Sequence, residues 1–514
     1  MKRYPLNSVK NTIKGNGLFI VVLLAAAAVW AWVFNEAAID FVSGGARPFR
    51  AVWNGYGEFD IFGYTIHLNL EGWADHDYFY HNWAEQFLGG ELPYTPEFDT
   101  IIVNSDSFNV PYFFPPLYLY ICVIGKLLHP DFGIGFIITL FGFLTVFPIY
   151  GIAEYLSENR RVGEAAAATY LFSPIVLYYT VFEWLNPAPF VFFAMLSFYL
   201  LMKDYRIAGA ISMTMSALFK QTAFFFALPL FAYLFRRPPR MIEQSNEVSE
   251  EENHKADDNL DLVEFAKIAI IVIIYAGIAS MPYILDPANY LYNILQRAGA
   301  THLASFTKLP PSNSPITIAV LFVVAGIQAE TTQLEALVPM LQWLAEILDL
   351  LNLYSILLLI GVIPVFLLLL IEVKDDRNLR GYWRRIFYLT FLLMLSVHLF
   401  SPRGIYKYYT VVFAPFFSIL SVSAICNRDL DKLQVSLPML VNPFILAIAI
   451  MIPDRNLYLL YLILIFLAYI LKSAFSDIYN LLTRPARAGL RLILSKAKYH
   501  VYDQTENTSR ADGY

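Results

Sequence analysis

Cysteine and charge are what this chain has least of. Its 514 residues hold two cysteines, Cys122 and Cys426, both inside apolar runs, which rules out a disulfide framework. Only 15 % of the residues are charged, and the net charge of −6 says little about partners, because its distribution across a membrane matters more than its sum. There is no phosphate-cradling P-loop, no dinucleotide fingerprint and no soluble nucleotide-binding segment. An ATP-driven pump or a nucleotide-sugar enzyme would need one of these. No solenoid repeat is present, nor a convincing inverted repeat of the transporter kind. Nothing points to nucleic acid.

What the chain has is hydrophobic bulk: 58 % apolar residues, 16 % aromatics and a mean hydropathy of +0.52. Several runs approach the roughly 20 apolar residues that cross a bilayer. The expected class is an all-α polytopic membrane protein with about 12 transmembrane helices, integral to the cell membrane, with both termini cytoplasmic. Lys2, Arg3, Lys10 and Lys14 precede the first span, Gly17–Phe34, and place residue 1 inside. No clear cleavage site follows, so this span is expected to remain. The next stretch, 35–131, carries thirteen Asp or Glu against Arg47, Arg50 and Lys126, a bias that suits an extracytoplasmic loop. Within it Phe59–Leu70 alternates weakly, as a strand pair would. Pro115–Leu128 is apolar but too short to cross. A crossing would also turn the Arg160-Arg161 end outward, so this segment is expected to lie along the outer surface.

Further spans are expected at Gly133–Leu156, Val162–Tyr179 and Phe190–Met202. A hairpin, Ile207–Phe219 with Thr222–Phe235, turns at Lys220-Gln221. Residues 1–235 thus form an N-terminal module, and the polar stretch 236–264 reads as a disordered cytoplasmic loop. A C-terminal membrane module, 265–471, encloses an outer segment at 285–353, and the basic tail 472–514 is cytoplasmic. The Asn507-Thr-Ser sequon falls on the wrong side for glycosylation in this topology.

The polar, acidic, aromatic stretch Trp73–Tyr94 stands out between these spans. Asp75 and Asp77 open a helix that Gly89-Gly90 is suited to close. On an α-helical wheel Asp77 shares a stripe with Trp73, Tyr80, Ala84 and Leu88, while Asp75 faces the other way with Asn82 and Gln86. An acid in an apolar stripe is functional or paired, because burying it alone costs several kcal/mol. Asp77 is therefore read as a general base or charge partner, with an ion pair to His81 as the plainer alternative. Asp75 also suits a helix N-cap. Asp75, His76, Asp77 and His81 form at best a weak metal set, because neighbours on a helix point apart.

Lys220-Gln221, a cation at an apolar hairpin tip, suits a phosphate or carboxylate, with a snorkelling lysine as the alternative. Arg403 and Lys407 sit among Tyr406, Tyr408 and Tyr409 and suggest an anionic ligand or interfacial anchoring. Arg297, His302 and Lys308 are weaker candidates. Acid and cations on an outer face of a lipid-embedded body suit chemistry on a lipid-phosphate substrate.

The order of several elements resembles the GT-C superfamily of polytopic glycosyltransferases that use polyprenyl-phosphate sugars, most closely its mannosyltransferase-like branch. These are Asp77-x-x-Tyr80, Ala84, Gly89-Gly90 and Tyr94, then Phe114–Pro116, the Ala208–Pro229 helix pair around its lysine, and Ser401–Tyr409. The resemblance implies inverting transfer of a hexose such as mannose from a polyprenyl-phosphate donor to a glycan, lipid or protein acceptor. It implies Asp77 as the base that deprotonates the acceptor hydroxyl, and Asp75-x-Asp77 leaves open whether Asp75 is the catalytic carboxylate instead. Lys220, Gln221, Arg403, Lys407, Tyr80 and Tyr94 would bind substrate. Some relatives bind a metal in the stretch corresponding to Tyr178–Pro187. Here only Glu183 is available, so no metal ligand is assigned and divalent-metal dependence stays open. The competing readings are a secondary transporter, for which intramembrane charges mark a substrate path, and a non-catalytic lipid-binding scaffold.

Overall fold

From Gly17 to Asn35 the chain carries no charge, and in the computed structural model it forms one helix, α1 (Gly17–Val42). The structure describes residues 17–43, 58–61, 64–67, 75–98, 100–103, 106–109, 112–235, 261–297, 335–340, 343, 359–367, 369, 379–400, 407–423 and 455–474. The helix does not stop at Phe34 as expected. Ala37 and Ala38 are strong helix formers, and an inward stripe of Ala26, Trp30, Ala37 and Asp40 continues past the polar Asn35-Glu36 pair. The acidic stretch after the first span therefore begins later than the hydropathy break suggests.

Two antiparallel hairpins follow. Strand β1 (Glu58–Ile61) pairs with β2 (Tyr64–His67) in the register Glu58↔His67, as the alternation at Phe59–Leu70 predicts. Strand β3 (Thr100–Val103) pairs with β4 (Asp106–Asn109), which the sequence reading did not anticipate. Apart from these two hairpins of four-residue strands the described body is helical, as the all-α class expects. Between the hairpins lie a π-helical turn, Asp75–Tyr80, and α2 (His81–Leu88). The left-handed Gly90 (φ 98°) follows, as the glycine pair requires.

Helix α3 (Pro116–Leu128) starts on its proline and runs 13 residues, short of a bilayer crossing. It packs between α2 and α4 (Gly133–Leu144). Helix α4 continues with little break into α5 (Val146–Ser157), and α5 packs on α6 (Arg160–Leu171). After a 45° bend come Pro174–Val176 and a second π-helical turn, Leu177–Phe182. Helices α7 (Pro187–Met202) and α8 (Arg206–Phe219) pack on each other extensively, and α9 (Phe224–Leu234) completes the expected hairpin at Lys220-Gln221. Beyond these come α10 (Leu262–Ala279), α11 (Leu379–Phe400), a 3-10 turn (Lys407–Phe413), α12 (Ala414–Ser423) and α13 (Arg455–Ala474). Of the outer segment 285–353 only its first part and a few later residues are described; His302 and Lys308 lie outside them, as do the loop 236–260 and the tail beyond residue 474.

Among the described residues α1, the continuous α4–α5 unit and α10 are long and apolar enough to cross a membrane, with 26, 25 and 18 residues. The bent stretch from Arg160 to Phe182 makes a fourth if it counts as one span. The chain is an integral membrane protein.

The core is aromatic and knit by glycine contacts. Gly135 on α4 lies so close to the indole of Trp184 that a β-carbon there would overlap the ring. Trp184 in turn packs on Phe34, Phe41 and His76, so α4, α1 and the first π turn meet through one side chain. Substituting Gly135→Ala should therefore lower stability by about 1–3 kcal/mol. A thermal unfolding scan of detergent-solubilised protein measures this; an unchanged midpoint would show that Trp184 can retreat freely.

Candidate active site

An α-helical wheel sets Asp75 opposite Tyr80, but the chain does not keep an α period there. Asp75–Tyr80 is a π turn, whose i→i+5 bonding stacks residues five apart, so Asp75 comes over Tyr80. Tyr80 is fully buried, and burial followed by the negative charge of Asp75 pushes its phenol well above the usual range. Tyr80 thus stays protonated. The carboxylate of Asp75 accepts a hydrogen bond from the Tyr408 hydroxyl at 3.3 Å, a contact 333 residues away in sequence. The expected orientation of Asp75 is corrected for that reason, and its described role is tertiary rather than only that of a helix cap. Asp77 belongs to the same turn, and its side chain lies outside the described residues.

Lys220 ends α8 in an extended conformation, at the helix terminus where a cation meets the negative end of the dipole. It does not snorkel to water. Its side chain is buried, and Nζ donates to Asn186 Oδ1 at 2.6 Å. Nζ also stands 4.3 Å from the ring centre of Tyr409, 4.5 Å from Phe114 and 6.0 Å from Tyr408. These are cation–π distances. Asn186 Nδ2 donates onward to the Tyr80 hydroxyl at 2.9 Å. One amide therefore ties Lys220 to the π turn, and Tyr408 lies against both the lysine and Asp75.

Asn186 is the residue that sequence reasoning passed over. An Asn before a Pro at a helix start is a normal N-cap, but here its side chain makes no cap bond and serves Lys220 and Tyr80 instead. Only the three-dimensional contact reveals it. Trp184, two residues earlier, has φ 55°, a left-handed backbone that costs a non-glycine residue energy and that is held here by packing on every side.

The other expected site residues fall around this centre. Gln221 Nε2 donates to the carbonyl of Phe113, fixing the aromatic segment whose next ring covers Lys220. Tyr94 (φ 69°) donates to the Phe114 carbonyl at 2.7 Å, and its own carbonyl accepts from Asn289. Lys407 is buried with Nζ 5.4 Å from the Tyr458 ring, facing α13 from the same 3-10 turn that carries Tyr408 and Tyr409. Arg403 lies outside the described residues, as does the side chain of Arg297.

Glu183 is buried and accepts from Tyr178 at 2.5 Å. Among the described residues no three of His, Cys, Asp or Glu gather to hold an ion.

Cation, carboxylate and two tyrosines at converging helix ends can hold an anion and position a hydroxyl nearby. Residues 185–299, which include Asn186, Lys220 and Gln221, match the model of the ALG6, ALG8 glycosyltransferase family. No curated protein matches the chain. Among solved structures it is similar to ArnT from Cupriavidus metallidurans bound to undecaprenyl phosphate, at 15 % identity over 89 % of this chain and 70 % of that one, with a TM-score of 0.42. It is also similar to the Archaeoglobus fulgidus oligosaccharyltransferase tethered to an acceptor peptide containing the NVT sequon. There the identity is 13 % over 88 % of this chain and 55 % of that one, with a TM-score of 0.39. The glycosyltransferase likeness thus rests on residues 185–299, less than half of a chain that is otherwise defined as an integral membrane protein. Its GT-C resemblance, carried by motifs along residues 70–235, meets the family match at the segment that holds Asn186 and Lys220.

Removing the acceptor of a buried ammonium should cost about 1–3 kcal/mol. Asn186→Ala is therefore expected to lower the thermal midpoint, and Lys220→Met to absorb much of that loss when the two are combined. Strictly additive losses in the double-mutant cycle would separate the two residues energetically.

Proposed function

We propose that this protein moves a hexosyl group, such as mannose, from a polyprenyl-phosphate sugar to an acceptor hydroxyl at the extracytoplasmic face. The acceptor is a glycan, a lipid or a protein, and the spans number about 12, with both termini in the cytoplasm. The observation that carries this reading is the convergence of Lys220 and Asp75 on Tyr408, with Asn186 linking the lysine to Tyr80. The ArnT structure contains undecaprenyl phosphate, which is consistent with such a donor here.

In this reading the acceptor oxygen attacks the anomeric carbon from the face opposite the phosphate, with inversion. Its proton passes to a carboxylate of the π turn as the carbon–oxygen bond to phosphate breaks. The polyprenyl phosphate leaves as an anion, and the Lys220 ammonium stabilises the charge that accumulates on it. Asp77 and Asp75 are both candidates for the base, and Asp75 is held by Tyr408, the ring that also lies beside Lys220. The neutral Tyr80 keeps the turn in place beneath them. Arg403 and Lys407 would contribute further positive charge from the segment that ends in Tyr408-Tyr409.

The test is turnover of a synthetic polyprenyl-phosphate hexose by purified protein in nanodiscs. Replacing the base, by Asp75→Asn or Asp77→Asn, should lower kcat by about 10²–10⁴-fold. Lys220→Ala should lower kcat/KM for the lipid donor. Wild-type turnover in both aspartate variants would sink the assignment. So would solute uptake into proteoliposomes with no consumption of the lipid sugar, which is what a secondary transporter would do.

A further inference from the structure

The π turn that places Asp75 is an uncommon structure, and α-helical hydrogen bonding is its natural competitor. In the α register His76 would lie over Tyr80. In the π register it lies over His81, and these two imidazoles are hydrogen-bonded, Nε2 to Nε2, at 3.1 Å with rings at 88°. His81 Nδ1 meets the Lys126 ammonium of α3 at 3.1 Å, and that ammonium pairs with Glu85 at 2.7 Å. An ammonium only donates, so His81 accepts at Nδ1, is neutral and carries its hydrogen on Nε2. That hydrogen points at His76 Nε2, which must then accept.

His76 is wholly buried. It is enclosed by Phe41 of α1, by Trp184 and by Tyr80, and the main-chain carbonyl of Asp131 stands 3.5 Å from Nε2. Burial above all holds its pKa well below the ordinary value, so the ring is neutral and keeps one accepting nitrogen. The same five-residue offset that bonds His76 to His81 stacks Asp75 on Tyr80. A shift to the α register would break the imidazole pair and swing Asp75 away from Tyr408 together.

We infer that His81, oriented by Lys126 and bonded to His76, is a positioning residue that locks the π register and so holds Asp75 toward Tyr408. This rests on the reading of Asp75 as an acid of the transfer site. His81 touches no substrate in this scheme, and its effect reaches the reaction only through the turn.

The test compares His81→Leu with His81→Gln, whose amide can still accept from Lys126 and donate to His76. His81→Leu is expected to lower kcat by about 10²-fold, as a displacement of order 1 Å can, with little change in KM for the lipid sugar. His81→Gln should recover most of that loss. Combined with Tyr408→Phe, His81→Leu should add little further, since both act through the orientation of Asp75. Losses that multiply, or a Leu variant with wild-type kcat, would overturn the inference. Should His81→Leu fail to fold, Lys126→Met removes the same orienting donor from the rim and carries the same expectations. Amide hydrogen exchange over residues 75–88 gives an answer independent of activity. Faster exchange in His81→Leu supports the lock and unchanged exchange overturns it, even if the wild-type protein proves to transfer no sugar.

Discussion

An ammonium group taken out of water costs several kcal/mol unless its surroundings replace the lost hydration. Lys220 sets that requirement here, and much of the central architecture answers it. The amide of Asn186 supplies an oxygen, the faces of Tyr409 and Phe114 supply π density, and the C-terminus of α8 supplies the negative end of a dipole. Each comes from a different part of the chain. Holding them together obliges the start of α7, the end of α8, the Phe113-Phe114 segment and the 3-10 turn after α11 to meet at one point. Gln221 and Tyr94 extend the arrangement outward by fixing the carbonyls of Phe113 and Phe114.

Irregular backbone collects around that point. A π turn carries Asp75 and Tyr80, a second ends just before Glu183, and 3-10 turns carry Gln221 and the Tyr408-Tyr409 pair. Trp184 and Tyr94 hold left-handed conformations that non-glycine residues avoid. Regular α-helices direct side chains sideways, and several of them end here, so the candidate site groups are delivered by the distorted turns at their ends. Distortion of this kind persists only where tertiary contacts fix it. Trp184 wedged against Gly135, Phe34 and His76, and the His76–His81 pair, are such contacts. The family match, which begins at residue 185, takes in Asn186, Lys220 and Gln221, while Asp75 and Asp77 lie before it.

Hydropathy and short-range chemistry were enough to read the membrane class, the first hairpin at Phe59–Leu70, the short helix at Pro115–Leu128, the left-handed glycine after α2 and the Lys220-Gln221 turn between two apolar arms. These features depend on residues within a few positions of one another, and the chain reports them directly. The oddity of a lysine at an apolar tip and of acids in the Trp73–Tyr94 stretch was equally visible, because composition alone marks a charge out of place. What tertiary structure decided was which groups meet. The α-helical wheel put Asp75 on the wrong side because nothing local in Asp75–Tyr80 announces a π period, which is maintained by His81, Lys126 and Trp184 packed around it. Asn186 does not stand out in the sequence, and only the fold sets Lys220 and Tyr80 on either side of its amide. Tyr408 reaches Asp75 across 333 residues, and a contact between segments so distant follows from how the helices pack, which no local pattern encodes.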